Sequence, residues 1–220
     1  MSGTTTTRGM LREMVRRRLA DTSPEPLWED TFLNDAIAEA VRRYSDRFPR
    51  EMAALAPVTA GSRMVALPGG VSPLRIVRIF DDAGEVWRQW EGSLASLPPV
   101  SYAPSTGERL WRVWGEDLML ASPVPRTSSW RLEHLADRVV REDDVTPMDF
   151  EIGDEDIHIA LTMNVALVRR AIADGKRTTG RGAHPLVGAA RMAQVDADKL
   201  FWLRRRRAKG ATLSLQETGG

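Results

Sequence analysis

The sequence contains no cysteine, so disulfides, thiolate metal sites and thiol nucleophiles are all excluded. Long apolar runs are missing too. Nothing approaches the roughly 20 residues that a bilayer-spanning helix needs, and residues 1–8 form a Ser/Thr/Gly stretch without the apolar centre of a secretion signal. The expectation is a soluble cytoplasmic chain with no membrane partner. An excess of charge of one sign is also absent. Its 31 basic and 30 acidic residues leave a net charge of +1, too small an excess for a protein that coats nucleic acid by neutralising phosphates.

Signatures of chemistry are likewise missing. His134, His158 and His184 fall in a strand, a helix and a loop, far apart in sequence. Gly175-Lys176-Arg177-Thr178 resembles the end of a phosphate loop, but Arg170 stands where its first glycine belongs and a helix precedes it in place of a strand. The acidic run around residues 143–149 lacks the alternating ligands and central glycine of a calcium loop. No Ser or Thr sits in a nucleophile signature. We therefore expect no enzyme, no cofactor and no metal site.

What is present is an order of periodicities. Met10, Leu11, Met14, Val15 and Leu19 recur at helical spacing, and a second helix carries Leu33, Ala36, Ile37, Ala40, Val41, Tyr44 and Phe48 on one face, with Asp30 or Thr31 as its cap and Pro49 as its stop. Six short runs then follow at 64–67, 74–80, 85–90, 109–114, 118–121 and 129–135, rich in Val, Ile, Leu and Trp and separated by turn residues. Trp87, Trp90, Trp111, Trp114 and Trp130 lie among them and read as core. Helical spacing returns at Ile157, Ala160, Leu161, Asn164, Leu167, Val168, Ala171 and Ile172, with Asp154, Glu155 and Asp156 in the first turn, where the helix dipole favours negative charge. A fourth helix from about Leu186 to Lys209 packs through Leu186, Val187, Met192, Val195, Leu200 and Phe201. Leu33, Ile37, Val41, Leu161, Val168 and Leu200 are expected to share one core.

The predicted fold is α+β and mainly α: a bundle of about four helices (1–52 and 140–209), an antiparallel β insertion (53–139) between helices 2 and 3, and an extended, flexible C-terminal tail (210–220).

Charge is balanced globally but segregated locally. Basic residues gather in helix 1, at Lys176, Arg177 and Arg181, and at Arg204, Arg205, Arg206, Arg207 and Lys209, while Asp143, Asp144, Asp149 and Glu151 belong to an acidic stretch over 142–156. Opposed charged patches suit surfaces that meet a neighbouring subunit. The 176–181 loop is expected to face a channel or a neighbour, and the acidic stretch to meet its complement on another subunit.

With these segments in place, the chain resembles the head-to-tail adaptor (connector) proteins of tailed bacteriophages. The resemblance is carried by Leu11 to Asp21 as a short first helix and by Leu27-Trp28-Glu29-Asp30 followed by Leu33, Ala36-Ile37, Ala40 and Tyr44. It continues through residues 61–68, through 115–125 (Gly115-Glu116-Asp117 to Pro125) and through the Thr146-Pro147 turn. It implies a structural virion protein in the neck, made in the host cytoplasm. Such a protein assembles with itself as a dodecameric ring beneath the portal protein, meets tail or stopper proteins below, and lets packaged DNA pass without sequence-specific binding. The C-terminal segment, Arg204 to Arg207 with Lys209, Leu213 and Leu215, would dock on the portal. A nucleic-acid-binding regulator or DNA-packaging accessory is the alternative, suggested by the arginines of helix 1 and of the tail.

Overall fold

The computed structural model describes residues 6–90, 109–175 and 184–217, the last twelve of them by backbone alone. Four helices, α1 (Arg8–Arg18), α2 (Asp30–Arg47), α3 (Glu155–Gly175) and α4 (Pro185–Glu217), flank seven strands in the chain: β1 (Arg50–Val58), β2 (Met64–Val65), β3 (Ile76–Phe80), β4 (Val86–Gln89), β5 (Leu110–Trp114), β6 (Asp117–Leu120) and β7 (Ser128–Ala136). They form two compact units, one from residues 1–48 with 138–220 and one from residues 49–137.

In the helical unit, Thr7 starts α1 by accepting a hydrogen bond from Met10 N on its side-chain oxygen at 3.3 Å. At the other end Asp21 N donates to Arg16 O and Ala20 N to Arg17 O, a Schellman closure with Ala20 at φ 55°. The cap of α2 is Glu29 and neither Asp30 nor Thr31 as expected; Asp30 is its first helical residue and takes Arg16 Nη2 at 2.5 Å. The apolar face of α2 is buried as its spacing predicts, from Leu33 to Tyr44. Helix α3 is the centre of the unit, packed against α1, α2 and α4, and it is closed on nearly every side from Ile157 to Leu167. Leu11, Leu33, Ile37, Val165 and Ala190 define one part of the core, and Tyr44, Ile157, Leu161, Ala197 and Phe201 another.

The second unit is a curled sheet in the order β1-β7-β3-β4-β5-β6-β2. Its inner face carries Ile79, Trp87, Trp111, Leu118, Trp130 and Leu132. Trp87 and Trp130 lie 4.6 Å apart by ring centroids, and Trp111 donates to Trp87 O at 3.1 Å.

This architecture overturns the expected bundle with a small antiparallel insertion. The sheet is mixed, because β4 and β5 run parallel, and it is large enough to hold its own core. Two physical reasons hid it. Strand β1 is Ala-rich and contains Pro57, a composition that reads against a strand, yet it pairs with β7 over nine residues. Pro57 is tolerated because β1 is an edge strand of that sheet. Parallel neighbours need a crossover of a dozen or more residues, which no short turn signal announces, and residues 91–108 between β4 and β5 lie outside the described residues. The extended tail is also corrected. Helix α4 continues past Lys209 to Glu217, since residues 208–217 are mostly good helix formers and Gly210 only weakens the helix without ending it.

Candidate assembly interface

The face by which α4 packs is an alanine stripe. Ala190, Ala193 and Ala197 are buried with Phe201, and the small side chains let α4 lie close enough to α3 for Asn164 Nδ2 to donate to Ala190 O at 2.9 Å. Of the larger apolar residues expected to pack, Phe201 is buried and Leu186 and Leu200 pack half-buried against the core, but Val187, Met192 and Val195 are about half exposed, as are Val168 and Ile172 on α3, expected on its buried stripe, and Trp202. A helix apolar on several sides belongs in a covered environment, and the helical unit covers one side of it.

Two grooves follow the flanks of α4. The larger, about 760 Å³, runs between the end of α1, α3 and α4. Its floor is apolar, with Leu19, Ile159, Met163, Met192 and Leu203, and its rim carries Asp196, Lys199 and the exposed Arg18–Asp156 pair at 3.4 Å. The smaller, about 420 Å³, lies on the opposite flank and includes Val168, Ala171, Ile172 and Val187. One helix therefore offers apolar recesses on two different faces.

Near Arg204 the helix is anchored. Arg204 Nε and Tyr44 Oη both donate to Asp154 Oδ2, Arg204 Nη2 stands 3.9 Å from Glu151, and its guanidinium lies 4.2 Å from the Phe48 ring centroid. Burial raises the Asp154 carboxyl above its ordinary range, against the opposing pull of the Tyr44 hydrogen bond and the Arg204 charge. Burial also raises the Tyr44 phenol, and its bond to Asp154 raises it further. Behind them His158 is fully buried between Tyr44 and Phe150, at 4.4 and 4.2 Å by ring centroids. Among the described residues neither of its ring nitrogens has a hydrogen-bond partner, and burial pushes its pKa down to about 3, with the Arg138 charge acting in the same direction.

The acidic stretch is engaged within the chain. Asp144 takes Arg8 at 2.7 Å and Arg12 at 2.9 Å, and these hydrogen bonds, Arg12 first, hold its carboxyl below the usual range. Asp143 closes its own turn by accepting from Thr146 N and Val145 N, and the Thr146 bond leads in lowering its carboxyl. Asp149 and Glu151 both meet Arg138, at 3.5 and 3.2 Å. Arg16 pairs with Asp21 at 2.9 Å, both nearly buried, and Asp21 also accepts from Leu27 N and Trp28 N to fix the α1–α2 connection. Of the C-terminal basic residues, Arg204 is committed to Asp154 and Arg205 is exposed. Arg206, Arg207, Lys209, Leu213 and Leu215 fall on the last turns of α4, where the backbone alone is described. Lys176, Arg177 and Arg181 lie outside the described residues. Sequence reasoning missed the Tyr44–Asp154–Arg204 group by assigning Asp154 to the helix dipole alone. The available signal was Tyr44 itself, since a tyrosine on a buried stripe needs a partner for its hydroxyl.

Among the described residues no three His, Asp or Glu side chains gather as a metal site, and no helix is long and apolar enough to cross a membrane. The helical unit is ion-paired within itself and leaves part of the apolar surface of α4 uncovered. The chain belongs to the SU10 adaptor protein family, whose model matches residues 6–213. That membership makes it a structural protein of a bacteriophage, a virion component at the head–tail junction that interacts with other head and tail proteins. No curated protein matches the chain.

Proposed function

We propose that this adaptor forms a ring beneath the portal, joins the DNA-filled capsid to the tail and extends the DNA channel. The observation that carries the reading is the pair of apolar grooves on opposite flanks of α4. A ring is built by heterologous contacts, in which one face of a subunit meets a different face of the next and the rotation closes. Two distinct apolar recesses on one helix suit that arrangement. The ion pairs of α1 and of the 142–156 stretch hold each subunit together, so the inter-subunit adhesion is assigned to the α4 flanks and not to the acidic patch. Dodecameric stoichiometry follows from matching the portal, which also templates the ring. The last turns of α4, with Arg205 to Arg207, Lys209, Leu213 and Leu215, reach the portal, and the lumen passes DNA without gripping it, in keeping with a net charge of +1.

Negative-stain images of the purified chain mixed with portal rings test this. Rings with a central hole are expected for the wild type. Met192→Glu puts a charge in the apolar lining of the larger groove and is expected to abolish them with the monomer's thermal midpoint unchanged. Rings that persist with Met192→Glu would place the subunit contact elsewhere, and a chain that stays monomeric on the portal would sink the ring.

A further inference from the structure

The outward face of the sheet carries a group that neither fold nor ring requires. Because side chains alternate along a strand, Trp90, just past β4, and Arg112 and Trp114 of β5 face away from the buried Trp111. Cross-strand register adds Met119 of β6 opposite Arg112 and Met64 of β2 opposite Met119. The Arg112 guanidinium lies 4.8 Å from the Trp114 ring centroid and 5.8 Å from that of Trp90. Among the described residues its one hydrogen bond is the weak contact of Nη2 to Met119 Sδ at 3.5 Å, and its Nε is shut off from solvent with no acceptor there. Among the described residues Arg112 has no carboxylate within ion-pair distance, and neither has Arg88 on the same face.

Tryptophan, methionine and arginine are the residue types concentrated at binding hot spots, and a guanidinium lying over aromatic rings without a carboxylate of its own can still offer a carboxylate two parallel bonds. We infer that this face is a docking surface for a partner protein segment that bears a carboxylate beside apolar side chains, with Arg112 taking the carboxylate and Met64 and Met119 the apolar part. A protein segment is favoured over nucleic acid because Asp117, paired across from Trp114, and the exposed Glu116 would repel a run of phosphates while leaving room for one carboxylate. The surface is separate from the α4 grooves and stands whether or not the ring does.

The test titrates the full-length chain with a terminally blocked hexapeptide that carries a single glutamate among leucine and serine residues, its counterpart with lysine in place of the glutamate and a twelve-nucleotide oligothymidylate, all at one salt concentration. The acidic peptide is expected to bind with a sub-millimolar Kd. Arg112→Gln should weaken it about tenfold, the loss of roughly 1.4 kcal/mol that one charge-assisted contact supplies. Met64→Asp should also weaken it by repulsion, without altering Trp90, Trp114 or Arg112, and so reports even if Arg112→Gln fails to fold. No binding at millimolar acidic peptide, equal binding of the lysine peptide, or wild-type binding by a folded Met64→Asp would overturn the inference. Tighter binding of the oligonucleotide would overturn it in favour of a base-stacking platform. Self-association in light scattering that Met64→Asp abolishes would overturn it in favour of a second copy.

Discussion

The guanidinium of Arg204 donates to the carboxylate of Asp154, which also accepts from Tyr44, so the last described side chains of α4 are tied to the start of α3 and the end of α2. A tetrad of arginines that reads in sequence as one basic patch is thus divided. Arg204 belongs to the fold, whereas Arg205 beside it is exposed.

Two truncations should therefore behave differently. Removing residues 206–220 is expected to leave the thermal midpoint nearly unchanged while abolishing co-sedimentation with portal-bearing heads. Removing 204–220 takes away the partner of a nearly buried carboxylate and should cost about 3 kcal/mol in urea unfolding. If the shorter deletion still sediments with heads at wild-type affinity, docking lies outside the last turns of α4. If both deletions unfold at the same urea concentration, the Arg204–Asp154 pair does not anchor the helix.

Core positions on α3 separate in the same way. Leu161 is 2% exposed and Val168 is 40% exposed, although helical spacing puts both on one stripe. Leu161→Ala is expected to cost about 2 to 5 kcal/mol, and Val168→Ala less than about 0.5 kcal/mol as a surface change. A large loss for Val168→Ala in the isolated chain would show that the smaller groove is already filled.

That contrast marks what was legible in the sequence. The stripes of α1 and α2 and the core tryptophans Trp87, Trp111 and Trp130 were readable because spacing and residue size agreed. For α4 they disagreed. Val187, Met192 and Val195 drew the packing face by hydrophobicity, whereas close approach to α3 selects Ala190, Ala193 and Ala197, which a hydrophobicity reading passes over. Strand β1 hid for the related reason that alanine and Pro57 carry little strand signal, and its place is set by β7. The acidic stretch was visible as charge, but its partners Arg8, Arg12 and Arg138 are brought to it only by the fold.

Ala20 offers a stabilising change. It holds the left-handed position of the α1 closure at φ 55°, where a side chain is strained and glycine is not. Ala20→Gly is expected to raise stability by about 0.5 to 1 kcal/mol. A lower urea midpoint for the glycine variant would mean that the Schellman closure does not form in solution.

His158 should give the helical unit a measurable acid dependence. An ordinary histidine takes up its proton near pH 6.5, whereas burial keeps His158 neutral down to about 3. Between those values the unfolded chain binds a proton that the folded chain refuses, so stability falls as pH drops through that window, by about 1.4 kcal/mol per pH unit. From pH 7.5 to pH 5 the wild type is expected to lose about 2 kcal/mol more than His158→Phe or His158→Leu, whose side chains do not titrate. At pH 7.5 the variants should be no less stable than the wild type if the slot accepts them without strain, because they remove two buried nitrogens that lack partners. Parallel pH profiles for wild type and both variants would show that His158 is protonated or solvated in the folded chain, contrary to its enclosure between Tyr44 and Phe150.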